Sequence, residues 1–217
     1  MKVFERAKSV FEKAIKSHHD GIPGVKIFDS GVPGPTLGVV AMLHGNEPCG
    51  LAVYELLEEN PGILDRGKVI FCLGNIFAAE RYFSTDDGNE RLKLRSLRRN
   101  MNRIPITVLQ NRVLHPCNEE DRFLKILDLL SDCDTVIDFH STSLPGGRML
   151  IPNNHWNLGN DFGVDKVIEN IFNVMADKTL IGLLGERGVA GAVVENGVHE
   201  EWETWAFSQY FLVSTLV

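Results

Sequence analysis

The chain has 217 residues, of which 44% are hydrophobic and 24% are charged, and its formal net charge is −7. The composition is ordinary for a globular protein, and the length fits a single α/β domain, here residues 1–217, or one domain with a small appendage. The acidic balance argues against nucleic acid or an anionic membrane as a partner, because neither surface attracts a negatively charged protein. No stretch approaches the roughly 18 apolar residues that a membrane span requires.

The cysteines and the amino-terminal segment predict the compartment. Four cysteines occur, at Cys49, Cys72, Cys117 and Cys133, and no two of them have the CxxC spacing of a thiolate metal site or a redox motif. Residues 1–17 are broken by charges and lack the apolar core of a signal peptide. We therefore expect free, mostly buried thiols in a cytoplasmic protein.

Strands and helices are predicted to alternate along the chain. Helical spacing of apolar residues predicts helices over residues 3–16, 47–57, 118–130, 165–175 and 200–216. Short apolar runs predict strands over residues 25–28, 36–42, 68–73, 135–139, 148–151, 179–184 and 192–194. The polar, arginine-rich residues 84–104 show no apolar period and are predicted to form a long loop. This alternation predicts an α/β fold with a central mixed, largely parallel sheet and helices on both faces.

Two histidines and a glutamate lie at the ends of predicted strands. His44 and Glu47 follow the strand at 36–42, and His140 follows the strand at 135–139. In α/β proteins the chemistry is placed at such strand ends. Two imidazoles and one carboxylate are the usual protein ligands of a catalytic Zn²⁺, with the fourth position left to water. The sequence therefore predicts one Zn²⁺ on these side chains; the alternative for HGNE is a capped turn with a solvated glutamate.

Two further carboxylates belong to the predicted site. Asp138 lies two residues before His140, so both side chains share one face of the strand, and Asp138 could orient the metal ligands. Glu195 ends an apolar run before the turn signal Asn-Gly, and it is the expected general base for the attacking water. A helix cap or a salt bridge is the alternative role for Glu195.

The stretch RRNMNR offers donors for an anionic substrate. An arginine provides a bidentate fork and an asparagine provides an amide donor. Arg99, Asn102 and Arg103 are therefore predicted to bind a substrate carboxylate. The alternative is a solvated basic loop.

Four motifs in this order, HGNE, NMNR, DFHST and VVENG, resemble the succinylglutamate desuccinylase/aspartoacylase family. This family is a branch of the zinc-carboxypeptidase-like hydrolases, and the resemblance extends from about Leu37 to Gly197. It implies the zinc-carboxypeptidase-like fold, with the HxxE pair and the histidine of DFHST as zinc ligands. It also implies Glu195 as general base and proton shuttle, and Asn102 with Arg103 as the pair that holds a substrate carboxylate.

The chain departs from the family pattern at several places. Asn100 stands where the family often has aspartate, before the Asn-Arg pair and separated from it by one residue. The arginine that would polarise the scissile carbonyl is left open among Arg81, Arg98, Arg99 and Arg148. Family members typically continue into a C-terminal β-rich domain that walls the active site, and we expect this domain to be absent or truncated here.

The predicted function is the zinc-dependent hydrolysis of the amide bond of a small N-acyl amino acid that carries a carboxylate. One alternative is a metallocarboxypeptidase that acts on a peptide C-terminus. The other is a metal-binding module without catalysis, although the presence of Glu195 argues against it, because a binding role needs no base at that position.

Overall fold

A computed structural model describes residues 2–105, 107, 109, 118–157, 159, 162–173 and 178–216. Cys117, which the sequence predicts to be a free thiol, lies outside the described residues. The last two positions of the helix predicted over 165–175 also lie outside them. Among the described residues, no helix has the length and apolar character needed to cross a membrane.

The strands of the described residues form a small hairpin and one large sheet. They are β1 (His18–His19), β2 (Ile22–Pro23), β3 (Val25–Asp29), β4 (Thr36–Ala41), β5 (Lys68–Leu73), β6 (Thr135–Thr142), β7 (Met149–Pro152), β8 (Lys166–Val167) and β9 (Ala190–Val198). The large sheet has the order β3-β5-β4-β6-β9-β7-β8. Strands β5, β4, β6 and β9 are mutually parallel, whereas β3 and β7 run antiparallel to their neighbours β5 and β9. The predicted mixed, largely parallel sheet is therefore confirmed.

Helices cover both faces of this sheet, as predicted. The described α-helices are α1 (Val3–Ala14), α2 (Leu51–Glu59), α3 (Ile76–Ser84), α4 (Gly88–Leu92), α5 (Asn118–Leu130), α6 (Leu180–Glu186) and α7 (Trp202–Leu216). One apolar cluster joins the sheet to α1, α2, α3 and α7, and a second joins it to α5 and α6. Val39 and Ala41 of β4 belong to the first cluster and Val40 to the second, because successive side chains of a strand point to opposite faces.

Two predicted elements are wrong. The apolar run at 179–184 forms helix α6 and not a strand, and Thr179 caps it by accepting a hydrogen bond from the amide of Gly182. Periodicity alone does not separate a short buried strand from a buried helix. In place of a helix over 165–175, the described residues form β8 and a short 3-10 turn, Ile171–Asn173. Asn170 has a φ of 62°, which a right-handed helix does not allow.

The other differences from the predicted elements concern two short helices and the start of a third. The predicted loop at 84–104 contains the short helix α4, where Asp87 accepts a hydrogen bond from the amide of Asn89. Helix α3 was not predicted at all, although Asn75 caps it by accepting from the amide of Ala78. The helix predicted from residue 47 begins as a 3-10 turn, Pro48–Gly50, and continues as α2.

Candidate metal centre

A strained turn after β4 delivers the HGNE motif to the carboxyl edge of the sheet. Met42 is fully buried and has a φ of 56°, which is uncommon for a residue with a side chain. The turn packs against Gly74, where a Cβ atom would lie 2.4 Å from Cα of Leu43. His44 follows directly, and Glu47 precedes the 3-10 turn that starts at Pro48. The glycine thus permits the close approach that places both side chains.

The neighbouring strands β6 and β9 bring the other carboxylates and the second imidazole. Asp138 and His140 lie two residues apart on β6, so they share a face of the sheet. Glu195 on β9 is in register with His140 across the parallel pair. The structure therefore brings the histidines, Glu47, Asp138 and Glu195 to one edge of the sheet.

The side chains of His44, Glu47 and His140 converge in the interior. One donor atom of each lies within 4.8 Å of the others, and each residue is at most 2% exposed. Nδ1 of His44 lies 3.0 Å from Oε1 of Glu47, and Nδ1 of His140 lies 2.8 Å from Oε2. This group could bind a metal ion through two imidazole nitrogens and one carboxylate.

The far nitrogen of each imidazole is held by a hydrogen-bond acceptor. Nε2 of His140 lies 2.7 Å from Oδ2 of Asp138, and Nε2 of His44 lies 3.1 Å from Oδ1 of Asn100. Metal-binding histidines commonly donate their second N–H in this way, which fixes the ring and leaves the other nitrogen for the metal. Here both Nδ1 atoms are the ones that face Glu47.

Burial and charge set the protonation of these groups. Burial lowers the pKa of His44, which favours the neutral imidazole that a metal requires. Burial also opposes the charged form of His140, but the carboxylates of Asp138 and Glu47 raise its pKa well above its ordinary value. Burial alone would raise the pKa of Glu47, yet His44 and His140 hold it well below its usual range. The site without metal therefore balances buried carboxylates with a charged His140.

The residues present fit a cation. Among the described residues, Nδ1 of His44 makes no hydrogen bond, although it lies 3.0 Å from Oε1 of Glu47. A buried nitrogen without a partner costs free energy, and a metal ion would satisfy it. The donor set of two nitrogens and one carboxylate is that of known zinc sites.

Glu195 adds an unpaired carboxylate beside the group. Its Oε2 is buried and makes no hydrogen bond within the described part of the chain. Burial raises the pKa of Glu195 above its ordinary value, and the nearby His140 opposes this rise. Neither a helix cap nor a salt bridge of Glu195 is found among the described residues.

An arginine that the sequence did not single out reaches the metal ligands. Arg95 forms an ion pair with Oε1 of Glu47, and its side chain is 47% exposed. The amide of Gly45, inside the HGNE motif, donates a 3.0 Å hydrogen bond to the carbonyl of Arg95 and so fixes its backbone. No periodicity or motif in residues 84–104 marked this position, because its placement depends on that tertiary contact.

The arginines that the sequence did propose have other surroundings. Arg99 pairs with Glu120 at the start of α5 at 2.9 Å. The guanidinium of Arg148 lies 4.3 Å from the ring centre of Phe207, a cation–π arrangement. The side chains of two others are exposed, namely Arg81 and Arg98.

The predicted carboxylate-binding pair lies close to the site. Oδ1 of Asn102 accepts a 3.2 Å hydrogen bond from the amide of Leu180, which occupies the carbonyl oxygen of this buried carboxamide and leaves its NH₂ as the donor. Arg103 is exposed, and its guanidinium donates to the carbonyl of Asn102 at 2.5 Å. Both residues follow Asn100, which contacts His44.

Several solved structures share this fold. Succinylglutamate desuccinylase from Chromobacterium violaceum is 12% identical, with a TM-score of 0.68 over 99% of this chain and 73% of that protein. The ectoine utilization protein EutE from Ruegeria pomeroyi, solved with product bound, is 19% identical, with a TM-score of 0.62 over 90% and 60%. Murine aminoacylase 3 is 20% identical, with a TM-score of 0.62 over 85% and 64%. The chain thus spans 60–73% of the length of these proteins.

Sequence comparison identifies the family. No curated protein sequence matched the chain. The family model of the succinylglutamate desuccinylase/aspartoacylase catalytic domain matches residues 33–160, which is more than half of the chain. The matched region contains His44, Glu47 and His140, whereas Glu195 lies outside it. The chain belongs to the succinylglutamate desuccinylase/aspartoacylase family.

Proposed function

We propose that this protein is a zinc-dependent hydrolase that cleaves the amide bond of a small N-acyl amino acid. The observation that carries the proposal is the buried convergence of His44, Glu47 and His140 beside the unpaired Glu195. Family membership supports hydrolysis. Two proteins with the same fold are named as a succinylglutamate desuccinylase and an aminoacylase, which supports an acylated amino acid as substrate.

The metal would be one Zn²⁺ per chain, held by Nδ1 of His44, Nδ1 of His140 and the carboxylate of Glu47. Mixed nitrogen and oxygen donors suit zinc, although other divalent ions also accept them. When bound, zinc lowers the pKa of a water molecule and polarises the scissile carbonyl. Asp138 and Asn100 keep the two imidazole rings in place for this role.

Glu195 acts as the general base and then as the general acid. Its carboxylate takes a proton from the attacking water and later gives it to the leaving amine. Because burial raises the pKa of Glu195, its carboxylate is a better proton acceptor near neutral pH than an exposed glutamate. The in-register position beside His140 places it next to the ligand group.

Side chains from residues 95–103 hold the substrate and polarise its scissile carbonyl. Arg95 stabilises the negative charge that develops on the carbonyl oxygen, a role supported by its contact with Glu47. Asn102 and Arg103 bind the substrate carboxylate through the amide NH₂ and the guanidinium. Arg99, which the sequence also suggested, contributes less, because its guanidinium pairs with Glu120 and not with a member of the candidate metal group.

The protein works as a cytoplasmic enzyme with one catalytic domain. Cys49, Cys72 and Cys133 are buried and unpaired with one another, which supports a reducing compartment. The two apolar clusters lie on opposite faces of the same sheet, which supports one catalytic domain. The acidic net charge supports a small-molecule partner over nucleic acid or an anionic membrane.

The test is hydrolysis of a panel of N-acyl amino acids by zinc-loaded protein, with C-terminally free peptides as a second panel. We expect release of free amino acid from the first panel. Glu195→Gln should retain zinc and lose activity by about 10²–10⁴-fold, which is the usual contribution of a general base. Glu201→Gln, an exposed glutamate beyond the same strand, is the matched control and should keep its activity.

Three results would contradict the proposal or part of it. Turnover of peptides alone would indicate a carboxypeptidase. Zinc binding without turnover of either panel would favour a metal-binding module, and near-normal kcat in Glu195→Gln would remove this residue from the mechanism.

A further inference from the structure

The arginine segment, which we define as residues 92–103, brings several groups to the metal centre. Arg95 contacts Glu47, and Asn100 contacts the far nitrogen of His44. Asn102 and Arg103 follow within the same segment. Beyond the last residue of α4 the segment forms no helix or strand, so its shape depends on contacts with the rest of the protein.

A single buried carboxylate holds the middle of this segment. Glu119 is 2% exposed, and it accepts hydrogen bonds from the backbone amides of Leu97 and Arg98 at 2.8 Å and of Arg99 at 2.7 Å. It also accepts a 2.6 Å hydrogen bond from the side chain of Asn75. A carboxylate is suited to this position because it accepts up to four hydrogen bonds and donates none. Hydrogen bonds to a charged acceptor are also the stronger kind.

The carboxylate is itself fixed to the sheet. Glu119 lies in the first turn of α5, where the helix dipole favours negative charge. Arg122, one turn further along the same helix, is 4% exposed and donates to the carbonyls of Leu73 and Gly74 at the end of β5. It also donates to the carbonyl of Pro23 at 2.9 Å. The start of α5 therefore links the carboxyl edge of the sheet to the arginine segment.

The segment is also tied to the HGNE turn. Gly45 donates to the carbonyl of Arg95 at 3.0 Å, and Nδ2 of Asn46 donates to the carbonyl of Leu92 at 2.9 Å. These bonds hold residues 92–95, whereas Glu119 holds residues 97–99. Asn100 is the next residue in the chain, so its position on His44 depends on the amides that Glu119 binds.

We propose that Glu119 is a positioning residue of the metal centre. By binding three consecutive amides it sets the path of the chain into Asn100, and through Asn100 it holds the ring of His44 for the metal. Its effect on turnover rests on the proposed function, whereas its effect on metal binding does not require any substrate. Glu119 differs from Asp138 in acting on a ligand through a backbone segment and not by direct contact.

The test compares Glu119→Gln with Glu120→Gln. Glutamine keeps the shape but replaces one acceptor oxygen with an NH₂ group, which faces N–H donors and cannot accept from them. The control removes the charge of Glu120, a neighbouring buried glutamate that forms an ion pair with the side chain of Arg99. Zinc affinity is measured by competition with a chromophoric chelator, and hydrogen exchange is followed at the amides of residues 97–99.

We expect Glu119→Gln to weaken zinc binding about tenfold, the lower end of the range for residues outside the ligand set. Exchange at residues 97–99 should accelerate in this variant, while Glu120→Gln should leave zinc affinity unchanged. In a double-mutant cycle, Asn100→Ala should add little to Glu119→Gln, because both act on His44 through the same contact. A merely structural role would lower the melting temperature, leave zinc affinity unchanged and show no coupling to Asn100→Ala.

Wild-type zinc affinity in Glu119→Gln, or fully additive effects with Asn100→Ala, would overturn the proposal. If Glu119→Gln does not fold, Glu119→Asp decides by the same two readouts, because it keeps the charge and shifts it by one methylene. Failure of the deacylase assay in the wild type would count against the proposed function alone, since zinc affinity and hydrogen exchange are measured without substrate.

Discussion

The two histidines of the metal centre are held by different parts of the molecule. His140 lies on β6 between two parallel neighbours, and its Nε2 contacts Asp138 of the same strand at 2.7 Å. His44 lies beyond the end of β4, and its Nε2 contacts Asn100 of the arginine segment at 3.1 Å. The strand that carries His140 also supplies the partner of its Nε2, whereas the partner of His44 lies in a loop that also carries the proposed substrate-binding residues Asn102 and Arg103.

The two sides also differ in charge. Asp138 and Glu47 raise the pKa of His140 well above its ordinary value, which favours its protonated form in the absence of a metal ion. Burial lowers the pKa of His44, whose outer partner is a neutral amide, so this ring is already suited to bind a metal. The candidate metal centre therefore combines a more basic imidazole, held within the sheet, with a neutral imidazole that is held by the arginine segment.

We expect the largest effect on zinc affinity from removing the charge of Asp138, which contacts His140. Asp138→Asn should weaken zinc binding by about 10–100-fold, because the carboxylate that orients and polarises His140 is lost. Asp134→Asn, which changes an exposed aspartate at the opposite end of the same strand, should leave zinc affinity unchanged. Zinc affinity is measured by chelator competition at pH 7. An equal affinity in Asp138→Asn and wild type would show that strand geometry alone orients the ring.

We expect a smaller effect, an increase in zinc affinity, from adding a charge at Asn100, which contacts His44. Asn100→Asp keeps the oxygen that contacts His44 and the amide of Asn102, and it gives His44 a charged partner like that of His140. We expect zinc affinity to rise by up to about tenfold. Asn157→Asp adds the same charge at an exposed position and should have no effect. Weaker binding in Asn100→Asp would mean that the neutral amide is required, and the two sides would then differ in chemistry as well as in position.

The same comparison explains what the sequence could predict. The convergence of four side chains could be predicted because each follows or ends an apolar strand, and parallel strands end at one edge of the sheet; they are His44, Glu47, His140 and Glu195. Their convergence needs only the order of elements, which hydrophobic periodicity indicates. The mixed sheet with helices on both faces was predicted for the same reason.

The loop side could not be predicted in this way. Residues 92–103 have no apolar period, and their path is set by contacts with Glu119 and with Gly45, far away in the sequence. The roles of Arg95 and Asn100 at the ligands therefore appear only in three dimensions. The run at 179–184 shows a related limit, because a short apolar stretch fits a strand and a buried helix equally well.

The last prediction concerns Glu195, the carboxylate on β9 whose Oε2 has no hydrogen-bond partner among the described residues. Asp138 contacts His140, but Oε2 of Glu195 is buried and makes no hydrogen bond among the described residues. In the unfolded chain this carboxyl ionises near its ordinary pKa of about 4.3. In the folded, metal-free protein burial raises its pKa, so the folded state keeps the proton to a higher pH.

The free energy of unfolding must therefore fall as the pH rises from about 4.3 through the raised pKa of Glu195 in the folded state. Glutamine cannot ionise, so metal-free Glu195→Gln should be more stable than wild type at pH 7 and equal to it below about pH 4. Urea denaturation at both pH values, with the exposed Glu203→Gln as control, measures this difference. Equal stability of Glu195→Gln and wild type at pH 7 would mean that water reaches the carboxylate of Glu195 and forms hydrogen bonds with it. The end of β9 would then be more open to solvent than the burial of Oε2 indicates.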